Sequence, residues 1–149
     1  MTTAHHPRAH WMSVFANAPL ASLTAAADTF GPLPQPLWLR RPEIGLAMVR
    51  ARTGGTGAQF NLGDMSITRC TLRLPSGEMG VAYIAGRELR HAELAAMFDA
   101  LMQTEARGRV EQLVLQPLEQ LLNERRATAR AQAQSTKVEF MTMVRGDSQ

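Results

Sequence analysis

The sequence has one cysteine, one lysine and few aromatic residues, and each shortage argues against a class of function. Cys70 alone cannot form an internal disulfide or anchor a cysteine-rich zinc site. Since Lys137 is the single lysine, the chain has no glycine-rich phosphate loop that ends in Gly-Lys-Ser/Thr. An aromatic content of 5% offers few stacking platforms for nucleic acid.

Long apolar runs are also missing. No run approaches the roughly 20 residues that cross a bilayer, and the N-terminus lacks the apolar core of an export signal. We therefore expect a cytoplasmic protein that does not bind membranes. At 149 residues the chain is long enough for one domain with a sizeable core. We expect a single domain over 1–149 whose first residues, about 1–8, fray.

Arginine supplies every positive charge except that of Lys137, within a net charge of only +3. Its fixed fork of donors suits carboxylates and phosphates, and it tolerates interfaces better than lysine does. A GC-rich genome would produce the same bias without any function. The basic residues are spread along the chain, so we expect no nucleic-acid partner.

The hydrophobic pattern predicts an α+β fold. Two short helices precede Gly31, and the four prolines between 32 and 42 indicate an extended connector or a short edge strand. Residues 44–52, 65–74 and 79–86 read as antiparallel strands, and the segments before Pro117 and near the C-terminus as two more. We predict a sheet of about five strands, an amphipathic helix over about 87–103 and a second long helix over about 117–134.

Residue parity assigns side chains to faces. In the first strand Ile44, Leu46 and Met48 share one face, which Arg50 and Arg52 continue. In the helix over 87–103, an apolar stripe that includes Leu89, Ala92, Ala96 and Leu101 would face the core. Arg90, Glu93 and Asp99 would then stay solvated.

The stretch "ARTGGTGAQFNLGDMSITR" contains the densest cluster of glycines. It fails as a dinucleotide fingerprint, because Phe60 stands where a third glycine should be and no helix pattern follows. Its backbone N–H groups can still form an anion-binding nest, with Arg52 and Arg69 on either side. Two interpretations stay open: a strand connection that needs positive φ, and a contact with a ligand or partner.

The remaining motifs do not form a catalytic set. His91-Ala92-Glu93 resembles the start of a zinc deaminase site, but no cysteine follows Cys70 to complete it. His91 and Glu93 lie either on a solvated helix face or in a polar contact. The apolar C-terminal segment that ends at Arg145 either joins its own sheet or forms an edge that another chain pairs with. We expect no metal site.

Four stretches, in order, resemble the PhnG family, the small subunit of the bacterial carbon–phosphorus lyase core complex. They are Arg8-Ala9-His10-Trp11; Gly54 to Gly57 with Phe60, Gly63-Asp64 and Thr68-Arg69; Gly86-Arg87, His91 to Glu93 and Asp99 to Leu101 with Gln103; and Phe140, Thr142 to Val144 and Arg145 to Asp147. The likeness runs from about residue 8 to 147, although 32–42 and 103–130 look unlike the family.

The resemblance implies a required but non-catalytic subunit in phosphonate catabolism. The complex replaces the adenine of MgATP with a phosphonate, which gives α-D-ribose 1-phosphonate 5-triphosphate. The nucleosidase chemistry belongs to a larger sister subunit, PhnI, and a radical-SAM sister subunit later cleaves the C–P bond. We expect this chain to bind no cofactor, MgATP to be the substrate of the complex, and two copies to assemble with subunits of the PhnH, PhnI and PhnJ types.

Contacts with ligand or sister subunits are expected from the glycine-rich loop and from nearby polar side chains. These residues are Gly54, Gly55, Thr56, Gly57, Arg69, Arg87, His91, Glu93 and Arg145. The alternative is a stand-alone protein that binds a nucleotide or phosphate with the Gly54–Gly57 loop.

Overall fold

The computed structural model describes residues 7–136, and a sheet of three strands lies on a set of helices. Chain order is α1 (Pro7–Asn17), α2 (Leu20–Phe30), β1 (Leu37–Arg52), β2 (Gln59–Arg73), β3 (Met79–Ala85), α3 (Leu89–Leu101), α4 (Arg107–Val110) and α5 (Gln116–Ser135). A short 3-10 turn, Thr53–Gly55, follows β1, and a π-helical turn, Glu111–Leu115, joins α4 to α5.

The sheet is an antiparallel meander in the order β1-β2-β3. β2 pairs with β1 along its length, whereas β3 pairs only with its second half, from Ile67 to Arg73. One face is buried, with Cys70, Leu72 and Ile84 at 0–2% exposure. The opposite face carries exposed side chains such as Tyr83, so the core lies on one side of the sheet.

Helix α3 is the centre of the core. Every residue from His91 to Leu101 is buried except Glu93. Phe98 packs against Phe15 of α1 and Phe30 of α2, each with ring centroids 5.8 Å apart. The predicted amphipathic helix is therefore present within two residues of its expected bounds, but it is buried on nearly all sides, as expected for a helix that contacts a sheet and two helices.

The expected number of strands is wrong. Three strands, not about five, form the sheet within residues 7–136, although the α+β class is confirmed. The proline-rich connector contributes to a strand, because β1 begins at Leu37 and continues through Pro42. β1 is an edge strand, where a missing N–H leaves no ladder bond unmade. The expected C-terminal strand lies outside the described residues.

The segment before Pro117 is helical, which corrects the predicted extended segment. It forms α4 and the π-helical turn, and Pro117 lies in the first turn of α5, where a missing N–H is tolerated. Val110, Val114 and Leu118 are buried along this path. Burial of this apolar stripe outweighs the local preference of Gln116 for an extended backbone.

The other helices agree with the sequence pattern. α1 and α2 are the two short N-terminal helices, and α5 matches the second long helix within one residue at each end. α1 already begins at Pro7, so Arg8 is helical although it was expected in a fraying end. No helix within residues 7–136 is long and apolar enough to cross a membrane.

Gly80 allows α3 to pack directly on β3. A Cβ at this position would lie 1.8 Å from the carbonyl oxygen of Ala96. Since that atom belongs to a helix backbone, it cannot move aside as a flexible side chain would. The residue type at position 80 therefore sets the distance between helix and sheet.

We predict that Gly80→Ala lowers the free energy of unfolding by about 3 kcal/mol, because the added methyl overpacks the α3–β3 contact. Urea unfolding of the purified chain, followed by tryptophan fluorescence, measures the change. Gly45→Ala is the matched control, since Gly45 is also a strand glycine and its Cβ would meet nothing within 4 Å. Equal stability of the two variants would contradict the packing argument.

Candidate functional site

Asp99 is the most heavily bonded side chain of the core, although it was expected to be solvated. Its carboxylate is fully buried and accepts four hydrogen bonds. Arg8 donates from Nε at 3.1 Å and from Nη2 at 2.8 Å, Trp11 from Nε1 at 2.9 Å, and Val81 from its backbone N–H at 2.9 Å. The carboxylate thus ties α3 to α1 and to β3.

The same cluster covers the edge of β3. The carbonyl oxygen of Met79 accepts bonds from Arg8 Nη2 at 3.1 Å and from Gln103 Nε2 at 2.7 Å. The hydrogen bonds with Asp99 raise the pKa of the Arg8 guanidinium above its usual value. Each of these groups is bonded to the fold, so the cluster is a structural element and not a free acid–base pair.

His91 is also structural. The ring is buried, and its Nε2 lies 2.8 Å from the carbonyl oxygen of Phe15, to which it donates. The structure thus does not agree with a solvated helix face for His91, and its polar contact is a buried one within the fold. Glu93 does lie on the surface side of α3, where it pairs with Arg90 at 2.8 Å.

The far half of the β1–β2 hairpin, residues 45–65, extends away from the core, and we call it the arm. β3 pairs with β2 only from Ile67 onward, so the arm has two strands and no third. Beside its base, the backbone N–H of Gly86 donates to the Ser66 carbonyl at 2.9 Å. At about 3.3 Å per residue, the eight arm residues of β1 span roughly 26 Å.

The glycine-rich loop forms the tip of the arm. Gly54 and Gly55 have φ of +61° and +78°, and the N–H of Gly57 donates to the Thr53 carbonyl at 2.9 Å. The loop is therefore a turn that needs positive φ, as one of the two interpretations held. A Cβ at Gly54 or Gly55 would meet nothing within 4 Å, so the tip is also open to a partner.

The structure does not bring Arg69 to this loop. Arg69 lies on β2 opposite Glu43, and its Nε donates to the Glu43 carboxylate at 2.7 Å. Arg52 lies nine positions beyond Glu43 on β1, a distance of about 30 Å along an extended strand. Arg52 and Arg69 therefore cannot hold one phosphate between them.

The remaining expected contacts lie apart from one another. Arg87 is exposed in the bend before α3, and Arg145 lies outside the described residues. No group of three or more His, Cys, Asp or Glu side chains within residues 7–136 is placed to hold a metal ion. The described residues thus show a structural core and an open arm.

A profile of the PhnG family, described as "Phosphonate metabolism protein PhnG", matches residues 6–146. The chain is 43% identical over 141 residues to "Alpha-D-ribose 1-methylphosphonate 5-triphosphate synthase subunit PhnG" of Rhizobium meliloti (strain 1021). That alignment covers 94% of this chain and 90% of the relative.

The chain belongs to the PhnG family. The motif residues on which the resemblance rests now have separate positions in the fold. Arg8, Trp11 and Asp99 meet in the buried cluster, whereas Gly54 to Gly57 and Phe60 belong to the arm. Some of the stretches quoted for the PhnG family therefore contribute to the buried core, and others to the exposed arm.

Sequence reasoning missed the arm and the Asp99 cluster. The sequence feature that pointed to the arm was the apolar face of Ile44, Leu46 and Met48, which continues into Arg50. No neighbouring segment of the sequence was identified as packing on that face. The signal for the cluster was the pair Arg8 and Asp99, one cation and one anion in separate motifs. Neither signal reports which other element lies nearby.

We predict that Asp99→Asn lowers the free energy of unfolding by about 3 kcal/mol. The amide NH2 would face an N–H donor, and the Arg8 guanidinium would lose its buried counter-ion. Thermal unfolding of the full chain measures the loss, with Asp28→Asn on the exposed side of α2 as the matched control. A wild-type melting temperature for Asp99→Asn would contradict the assigned role.

We predict that the Cys70 thiol is inert in the native chain. The residue is 0% exposed, and burial, followed by the charge of Glu93, raises the pKa of the thiol from 9.0 to about 11. At pH 8 only about one thiol in a thousand is then a thiolate. Ellman's reagent should react within minutes in roughly 6–8 M urea, which unfolds the chain and exposes the thiol. Without urea the reaction should take hours. Rapid labelling of the native chain would disprove this.

Proposed function

We propose that this chain is a subunit of a synthase that joins a phosphonate to the ribose triphosphate part of MgATP and releases adenine. The observation that carries the proposal is the 43% identity, over 90% of its length, to a relative named as a subunit of α-D-ribose 1-methylphosphonate 5-triphosphate synthase. Because almost the whole of that relative is matched, the likeness extends beyond any single motif.

The geometry supports a subunit that contributes contact surface and not reacting groups. The buried polar side chains Asp99, His91 and Thr68 are all engaged in bonds within the fold, Thr68 through its hydroxyl to the Gly86 carbonyl at 2.8 Å. By contrast, large apolar side chains of the arm are open to water, Leu46 at 70% and Leu62 at 66%. Such exposure is typical of protein surfaces that a partner covers.

Partners and substrate follow from this proposal. The sister subunits would be of the PhnH, PhnI and PhnJ types, with two copies of this chain in the assembly. MgATP would be the substrate of the complex, and no cofactor would be held by this chain. The loop Gly54–Gly57, Arg69, Arg87, Glu93 and Arg145 stay the proposed contact residues, whereas His91 would act through the packing of α3 on α1.

The test is co-expression of the tagged chain with the other synthase subunits, followed by an assay of adenine release from MgATP and methylphosphonate. The chain should co-elute with them, and leaving it out should lower adenine release at least about 100-fold, as expected for a missing part of a catalytic assembly. Elution of the chain alone, with adenine release independent of it, would contradict the proposal.

We also predict that Arg87→Ala slows adenine release by about 10-fold, since an exposed guanidinium is suited to an anionic ligand or a partner carboxylate. Arg90→Ala is the matched control: Arg90 lies three residues further along, in the first turn of α3, and already pairs with Glu93. Equal rates for the two variants would remove Arg87 from the contact residues.

The stand-alone alternative makes a different prediction. It requires the free chain to bind MgATP through the Gly54–Gly57 loop. Titration calorimetry with millimolar MgATP should detect heat under that alternative and none under the subunit proposal. The separation of Arg69 from the loop favours the second result.

A further inference from the structure

The arm exposes apolar side chains on both of its faces. The register pairs Met48 with Asp64 and Ala51 with Phe60, and paired residues share a face. Leu46 and Met48, at 70% and 61% exposure, therefore lie on one face, while Phe60 and Met65, at 45% and 39%, lie on the other. A ribbon that rested on the body of its own chain would bury one of these faces.

A bulge adds a further apolar side chain. Val49 pairs with Gly63 and Arg50 with Asn61, so Leu62 has no partner on β1. Leu62 is 66% exposed. A Cβ at Gly45 or at Gly63 would meet nothing within 4 Å, which shows that the space beside the arm is open.

Both strand edges of the arm are open as well. β1 is the edge of the sheet, and β2 has no second neighbour before Ile67. From Ile44 to Val49 the β1 edge has neither proline nor charge, the residues that usually protect an edge from pairing. A two-stranded ribbon with two open faces and two open edges is marginally stable in water, so a covering surface would stabilise it.

Charge at the tip specifies the covering surface. Arg50 and Arg52 continue the face of Leu46 and Met48 beyond the bulge, whereas Asp64, opposite Met48, is the single acid of the arm. The arm is thus apolar along its length and cationic at its end. A binding site complementary to the arm is a cleft with apolar walls and with carboxylates at its closed end.

Three clefts on the described residues of this chain do not offer such a binding site to a second copy. The cleft between α1 and β3 and the cleft between α2 and the start of α5 are lined without a carboxylate. The cleft between α1 and α5 contains Glu119, but His10 contacts that carboxylate and Arg126 lies beside it. These clefts therefore favour a different protein as the occupant.

We propose that the arm inserts between apolar walls of a different subunit of the synthase, with Arg50 and Arg52 against its carboxylates. The inference rests on the proposed function, because it takes the partner from that assembly. It deepens the proposal by naming the surface that makes the contact and the chemistry that receives it.

The experiment compares arm variants with a body variant in the co-expressed complex. Leu46→Ser combined with Met48→Ser should lower the affinity for the other subunits about 100-fold, as expected for two buried anchor residues, and so abolish co-elution. Leu89→Ser is the matched control, since Leu89 is 46% exposed at the start of α3 and lies outside the arm. Arg50→Glu combined with Arg52→Glu should weaken association about 10-fold at low salt and less at high salt.

A photo-reactive amino acid at position 46 identifies the occupant directly. Cross-linking to another synthase subunit supports the proposal, whereas a cross-linked pair of this chain overturns it. If the wild-type chain fails to co-elute, the proposed function fails and the inference with it. If the wild type and the arm variants co-elute equally, the function stands and the arm proposal alone is overturned. Far-UV circular dichroism verifies that every variant is folded.

Discussion

The buried carboxylate of Asp99 is the interaction on which the rest of the fold depends. A buried charge is costly unless it is paired and bonded. Asp99 has both: the Arg8 guanidinium donates two hydrogen bonds to it, and the N–H groups of Trp11 and Val81 donate one each. These donors come from α1 and β3, so the satisfied state exists only when helix, helix and strand are assembled together. The carboxylate therefore links α1, at the start of the described chain, to β3, which begins only at Met79.

One consequence is that the two edge strands of the sheet differ in how far they are covered. At β3 the edge is covered, because Asp99, Arg8 and Gln103 bond to the backbone of Met79 and Val81. At β1 the edge is open, and the arm extends beyond the reach of β3. The buried polar groups are hydrogen-bonded within the fold, whereas large apolar side chains of the arm are exposed. Such a surface is suited to contact another subunit in an assembly.

The local sequence pattern predicted the helices and strands better than it predicted what packs against them. The alternation of Ile44, Leu46 and Met48 correctly indicated a strand face, but an apolar face reads the same whether a helix or another protein covers it. Asp99 was expected in water because charged residues are rarely buried without partners, and its partner Arg8 is ninety-one residues away.

The errors in secondary structure have the same origin. Pro117 favours an extended residue before it, yet Val114 and Leu118 gain more from burial when the chain stays helical through a π-helical turn. The prolines between 32 and 42 left an extended connector or a short edge strand open, and β1 continues through Pro42 as an edge strand, so this stretch is not among the errors.

The most direct test of the account is amide hydrogen exchange of the arm in the free chain and in the assembled synthase. We predict fast exchange over residues 45–65 in the free chain and strong protection on assembly, with little change in α3. Exchange in the arm that stays fast in the complex would contradict the claim that a partner subunit covers it.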